Sequence, residues 1–263
     1  MPHVNSDGVH IYYEILGDGP PVVLHHGTTQ SLKRWYVCGY VEALRSQYQL
    51  ILIDPRGHGG SDKPHDPAAY QLDLRIGDVI AVLDHVNLEK VTFWGYSDGG
   101  RVGFGLAKRA PERLTALIIG GQNPYEYQVP EFLRLNANDA NGCIDKVLRA
   151  INVDPALMPP ERRQELLAND FQAIAAALQD EPSLEDVLPL MTMPCLVYAG
   201  EKDMFFPEIQ KAVQAMPNVR SFWLPGVTHP QAFRQSQLVI PHALEFLESV
   251  SVVRSMEAAT ANL

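Results

Sequence analysis

Apolar residues along the chain gather into short runs, separated by longer stretches of helical period. PVVLHHG (21–27), QLILIDP (49–55), KVTFWGYS (90–97), LTALIIGG (114–121), MPCLVYAG (193–200) and SFWLPG (221–226) are rich in β-formers and punctuated by Gly or Pro. Strands that are apolar throughout belong to a sheet covered on both faces. VHIYYEIL (9–16) alternates instead, which predicts an edge hairpin strand. Helices are expected over about 31–46, 70–87, 98–110, 206–216 and 236–249. In DLRIGDVIAVLDHV, for example, Leu74, Ile76, Val79, Ile80, Val82 and Leu83 recur closely enough to cover one face. Strand–helix alternation of this kind implies an α/β fold, a mostly parallel central sheet flanked by helices with right-handed crossovers.

One interval breaks the rhythm. Between Gly121 and Met193 no segment reads as a strand, whereas PEFLRL, CIDKVLRAI, PPERRQELLANDFQAIAAALQ and SLEDVLPLM read as short helices. A helical insertion after a sheet strand predicts a cap over the sheet's C-terminal edge, where open α/β sheets bind ligands. The expected division is a core of residues 1–121 and 189–263, with a helical cap of residues 122–188 inserted after the sixth strand. The closing SMEAATANL is either a fraying helix end or a tail.

Composition narrows the function classes. The 263 residues are 46% hydrophobic and 20% charged, an ordinary globular balance suited to one large domain or a domain with an insertion. A net charge of −10, from 31 acidic against 21 basic side chains, argues against a nucleic-acid partner, which needs a basic face. Cys38, Cys143 and Cys195 are widely spaced with no Cys/His cluster, so neither a disulfide framework nor a metal site is indicated, and reduced thiols are expected. No apolar run approaches a membrane span, and MPHVNSDGVHIYYE has neither the basic nor the apolar region of a signal peptide. A soluble cytoplasmic protein is expected, its oligomeric state open, a homodimer included.

The chemistry starts at Gly95-Tyr96-Ser97-Asp98-Gly99, between an apolar strand and a helical stretch. Turning from strand to helix within one residue forces that residue to positive φ, and its neighbours two positions away must lack side chains. Ser97 would stand clear of the sheet, with the Asp98 N–H opening the helix beside it. An alcohol needs a base, and the base an orienting acid. Among nine histidines, His229 in LPGVTHPQAF follows the last apolar strand on the same sheet edge. His85 and His242 fall within helices, His58 and His65 in a glycine-rich loop, His3 and His10 near the N-terminus. Asp203, in GEKDMFFP after the preceding strand, is the expected acid; Glu201 and Glu126 are its rivals.

A developing oxyanion needs two preorganised donors. One is the Asp98 N–H; the second is expected from HHGTTQ, where Gly27 lets the backbone turn and Thr28 offers its N–H. His25 and His26 suggest a metal, but no third ligand sits at a supporting spacing, and structural hydrogen bonding is the better reading. GFGLAK (103–108) lacks the third glycine of a dinucleotide loop and lies within a helix. Thr29, Tyr96, Tyr125, Met204 and Phe205 are candidate substrate contacts around an apolar pocket, and nothing resembles a charged clamp.

HHGTT, DPRGHGGSDKP, GYSDGG, GEKDMFFP and GVTHP, in this order from residue 25 to 230, resemble the α/β-hydrolase fold family, in its branch of capped esterases, lactonases, dehalogenases and epoxide hydrolases. The resemblance implies Ser97 as nucleophile, Asp203 as acid and His229 as base, an oxyanion hole from the Thr28 and Asp98 amides, and no cofactor. Arg56 and Asp62 in the DPRGHGGSD marker read as loop scaffolding. Relatives that cleave carbon–halogen bonds or epoxides carry aspartate at the elbow; serine here points to ester or lactone chemistry, and the modest cap to a small or medium apolar substrate. Hydrolysis of a carbon–carbon bond in a ring-cleavage product, perhydrolysis, acyl transfer and a slow ligand sensor are the alternatives on the same triad.

Overall fold

The computed structural model describes residues 2–131 and 134–261. All six of the continuous apolar runs become strands of one eight-stranded sheet. In chain order the strands are β1 (His3–Ser6), β2 (Val9–Leu16), β3 (Pro21–His25), β4 (Gln49–Ile53), β5 (Val91–Tyr96), β6 (Leu114–Gly120), β7 (Cys195–Gly200) and β8 (Val219–Leu224). Their spatial order is β1-β2-β4-β3-β5-β6-β7-β8. β3 to β8 are mutually parallel, and β2 runs antiparallel to both its neighbours, β1 and β4.

Side-chain alternation explains why the central strands are apolar throughout. Val23, Ile51, Ile53, Val91 and Phe93 enter one core, while Val22, Leu24, Leu50, Leu52 and Trp94 enter another across the sheet. The first core is closed by α3 (Leu72–His85) and α4 (Asp98–Arg109). The second is closed by α1 (Lys33–Val37) and α2 (Tyr40–Leu44), where Trp35, Tyr40, Trp94 and the later Phe233 pack edge to face or tilted at 4.9 to 5.8 Å between centroids. Two-sided burial leaves no polar face on β5 or β7, every residue of which is buried.

Several elements differ from expectation. β2 is not the edge; the four-residue β1 pairs outside it, and HVNS carries too little apolar signal to announce a strand. The helix expected over 31–46 is two, because Gly39 sits at φ +82° between α1 and α2. The last helix extends past 249 and runs from Ser236 to Ala261, taking in most of SMEAATANL.

Between β6 and β7 lie α5 (Ala140–Ala150), α6 (Pro160–Leu167) and α7 (Phe171–Ala177). The long run expected as helix over 159–179 breaks at Asp170, whose carboxylate accepts the Gln172 and Ala173 amides at 3.0 and 3.1 Å and so starts α7 afresh. Cys143, Ile144, Leu148, Leu166, Phe171 and Ile174 give these helices an apolar cluster of their own. An isolated antiparallel bridge, Tyr127 to Glu181, pairs the outgoing and returning segments. The helix expected over PEFLRL includes residues 132 and 133, outside the described residues. Among the described residues no helix is long and apolar enough to cross a membrane. After β7 come α8 (Phe206–Gln214), β8, the short α9 (His229–Arg234), which the sequence pattern did not suggest, and α10 (Ser236–Ala261).

Candidate active site

β5 ends at Tyr96 and α4 begins at Asp98, leaving Ser97 alone to make the turn. It does so at φ 55°, ψ −119°, a conformation disfavoured for any residue with a Cβ. The turn is tight enough that a Cβ on Gly95 would collide with the Gly99 carbonyl, and one on Gly99 with the His25 carbonyl. The HHGTT loop passes so near that a Cβ on Gly27 would lie 2.8 Å from Ser97 Cβ. The Ser97 N–H donates to Gly120 O at 2.8 Å, and its carbonyl accepts from Gly100 N–H at 2.8 Å and Gln122 Nε2 at 3.2 Å. Both sides of the strained residue are thus fixed by neighbours.

The structure brings Ser97, His229 and Asp203 together. His229 Nε2 lies 3.0 Å from Ser97 Oγ, and His229 Nδ1 lies 2.7 Å from Asp203 Oδ2. Asp203 and His229 are 4% and 7% exposed, so water competes little for either contact. His229 opens α9, whose first turn is fixed by a Thr228–Gln231 capping box. The Tyr96 hydroxyl donates to the His229 carbonyl from below, and the Phe205 ring stands edge-on at 6.0 Å. The other Asp203 oxygen accepts the Phe205 N–H at 3.0 Å. With a carboxylate accepting from Nδ1–H, the Nε2 lone pair faces the serine hydroxyl. The rival acids lie elsewhere: Glu201 is exposed and accepts the Gly226 N–H at 3.2 Å, and Glu126 is exposed and bonded to Gln128 Nε2 at 3.0 Å.

Thr28 and Asp98 both border the cavity in front of Ser97. As first residue of α4, Asp98 has an amide with no acceptor inside the helix. The next amide of the loop, Thr29 N–H, is spent on His58 Nε2 at 3.2 Å, and Thr29 itself sits at φ 63°. Because His58 Nε2 accepts, its Nδ1 carries the proton and donates to Arg56 O at 3.1 Å. A neutral imidazole satisfies both contacts.

His25 and His26 are held by structural bonds. His25 Nδ1 donates to His26 O at 3.1 Å; His26 contacts Gly27 O at 2.8 Å and Asp54 Oδ1 at 3.2 Å. Burial, reinforced by neighbouring His26, pushes His25 down to about 3 and His58 down to about 4. Both folded values lie below the unfolded histidine value near 6.5, so as pH falls through that value the unfolded chain takes up protons that the folded one refuses. Stability contributed by these rings is complete above about pH 6.5 and drains away below it. Between pH 7.5 and 5.5 urea unfolding is expected to show a loss of about 1.4 kcal/mol per histidine. Equal stability at the two pH values would show that the rings are not buried neutral.

A second buried network reaches the elbow. Arg75, on the covered face of α3, binds Asp98 at 2.5 Å and also Glu181, which returns from the 122–188 segment. Arg101 lies 3.7 Å from Glu181 and donates to the carbonyls of Tyr125 and Pro182. Burial alone would raise Asp98; the Arg75 guanidinium, with His25 and His58, outweighs it and holds the carboxyl below its usual range. Glu181 is raised by burial, only partly offset by Arg75. The sequence reading missed Gln122, His58 and Glu181. It also missed Arg75, although a charge beside the inward positions Ile76 and Val79 was visible. Arg56 and Asp62 serve the loop: Arg56 is bidentate to Asp78 at 2.6 and 2.7 Å, and Asp62 accepts from the His10 amide at 2.8 Å.

A cavity of about 380 Å³ opens over Ser97 and His229, with Ile144, Leu148 and Ile174 from α5 and α7 on its far side. Thr29, Tyr125, Met204 and Phe205 line it; Tyr96 borders it, but its ring is buried in the core and its hydroxyl is engaged by His229. The lining is mainly apolar, but Arg34, Arg56, Arg75, Arg101, Arg162 and Arg234 also contribute to it. They come from well-separated segments of the chain. Among the described residues no three His, Cys, Asp or Glu side chains cluster as a metal site requires.

Residues 20–158 match the family model described as the alpha/beta hydrolase fold. A non-heme haloperoxidase of Rhodococcus erythropolis is 26% identical over 279 residues, covering 95% of this chain and 100% of its own length. The solved enol-lactonase of Burkholderia xenovorans LB400 superposes with a TM-score of 0.80 at 22% identity, over 94% of this chain and 100% of that one. Est816, described as an N-acyl homoserine lactone degrading enzyme, superposes with a TM-score of 0.76 at 26% identity, over 93% and 100%.

Proposed function

We propose that this chain, which belongs to the alpha/beta hydrolase fold family, is a serine hydrolase that cleaves a small or medium carboxylic ester or lactone through an acyl-enzyme. The observation that carries this reading is the unbroken hydrogen-bonded series from Ser97 Oγ to His229 at 3.0 Å and on to Asp203 at 2.7 Å, set at a strained strand-to-helix turn. In this reading Ser97 Oγ attacks the carbonyl carbon as His229 Nε2 takes its proton. Asp203 holds the imidazole and stabilises the cation that forms. The Thr28 and Asp98 amides receive the oxyanion, and collapse expels the alcohol, which leaves with the proton that His229 took from Ser97. Water repeats the sequence on the acyl-enzyme and releases the acid. Residues 122–188 act as the cap: their helices wall the cavity and limit the size of the acyl or alcohol group. Similarity to lactone-degrading Est816 keeps lactones beside linear esters.

A panel of p-nitrophenyl esters of increasing chain length, simple lactones and a ring-cleavage dienone tests the reading. Turnover of short esters or lactones is expected, together with one-to-one labelling by an aryl phosphonate. Preference for the dienone would replace ester cleavage with carbon–carbon cleavage, and faster acyl release with peroxide or alcohol would make water the lesser acceptor. A protein that neither turns over any of these substrates nor reacts with the phosphonate is not a serine hydrolase.

A further inference from the structure

Three of the six cavity arginines are neutralised within the fold: Arg56 by Asp78, and Arg75 and Arg101 by the Asp98–Glu181 network. The other three converge from α1, α6 and α9, as Arg34, Arg162 and Arg234. Arg162 shares an ion pair with the exposed Glu165 at 2.5 Å. Arg34 Nε is buried with no hydrogen-bond partner among the described residues, and its Nη2 reaches only Cys38 Sγ at 3.7 Å. Burial first, and then the nearby Arg162 and Arg234 guanidiniums, pull Arg34 below the usual arginine range, an effect that Cys38 and the exposed Glu165 offset only in part.

A half-buried guanidinium with an orphaned N–H near two like charges is unfavourable as it stands. Nor does it reflect a surplus of bases, because the chain has 31 acidic side chains against 21 basic ones. The acidic lining residues Glu126 and Glu208 come instead from the segments of Tyr125 and Phe205. An anion at the arginine wall resolves the imbalance. A carboxylate fits best, since guanidiniums grip it through paired N–H donors and the cavity is small for a coenzyme-linked substrate.

We propose that Arg34, Arg162 and Arg234 form a carboxylate-binding wall of the cavity, so that the ester or lactone opened at Ser97 carries a free carboxylate away from the scissile bond. The catalytic half of this rests on the serine-hydrolase reading; the binding half does not.

Two matched pairs test it: mono-p-nitrophenyl glutarate against p-nitrophenyl pentanoate, and 4-acetoxybenzoate against phenyl acetate. These place the charge on the acyl and the alcohol side in turn. For at least one pair the anionic member should have a kcat/KM higher by about tenfold or more. R234Q, at an exposed position, and R34M should shrink that preference, by raising KM for the anionic member relative to its neutral partner. R234Q keeps the test valid should R34M fail to fold. Calorimetry with glutarate on the wild type and both variants runs alongside. Hydrolysis of neutral esters with no anionic preference and no glutarate binding overturns the wall and leaves the hydrolase reading intact. Glutarate binding that the variants weaken, with no ester turned over, supports the wall and sinks the hydrolase reading. Neither binding nor turnover sinks both.

Discussion

Ser97→Ala is expected to lower kcat for any ester or lactone the protein turns over by about four orders of magnitude or more, without loss of stability. The size follows from the mechanism, since removing the nucleophile leaves only substrate binding and the two amides to assist water. The second half of the expectation follows from the backbone. At φ 55° any side chain at this position is strained, so alanine keeps the strain and loses only the 3.0 Å contact to His229. Ser97→Gly should be equally inactive yet more stable, by on the order of 1 kcal/mol, because glycine adopts positive φ without the Cβ conflict. Steady-state kinetics and thermal unfolding on both variants give the check. Activity above about a hundredth of wild type in Ser97→Ala would place the nucleophile elsewhere.

That the sequence reached this site has a physical basis. A turn made in one residue imposes local demands, and GYSDG satisfies them within five positions, so the candidate nucleophile is written in contiguous sequence. His229 and Asp203 follow from sheet topology, because strands linked through crossover helices run parallel and their C-terminal ends lie on one edge. The same logic fails where partners are chosen in three dimensions. Arg75 meets Asp98 across 23 positions and Glu181 across 106, and no periodicity announces either pairing. Likewise nothing along the chain links Arg34, Arg162 and Arg234, which α1, α6 and α9 bring to the cavity. Element boundaries were lost to single residues: Gly39 splits a helix through its left-handed backbone, and Asp170 restarts one by capping it. β1 was invisible because an edge strand needs only backbone pairing, and its four residues bury little.

Asp203→Asn gives the second large effect, a fall of about 10³- to 10⁴-fold in kcat with KM nearly unchanged. The variant is nearly isosteric, so everything depends on which way the amide faces. One Asp203 oxygen accepts the Phe205 N–H at 3.0 Å, and that donor cannot turn away. An asparagine therefore keeps its carbonyl oxygen towards Phe205 and presents its NH₂ to His229 Nδ1, where Oδ2 now sits at 2.7 Å. Faced with a donor, Nδ1 must accept, and the imidazole proton moves to Nε2, the nitrogen that faces Ser97. The ring stays in place but can no longer take the serine proton. Asp203→Ala, lacking the misplaced donor, should be less impaired than its size suggests once the loop refills with water. Glu201→Gln, at an exposed neighbour, should behave as wild type. If Asp203→Asn retained a tenth of wild-type turnover while Glu201→Gln lost it, the acid would be Glu201 and the 2.7 Å contact merely structural.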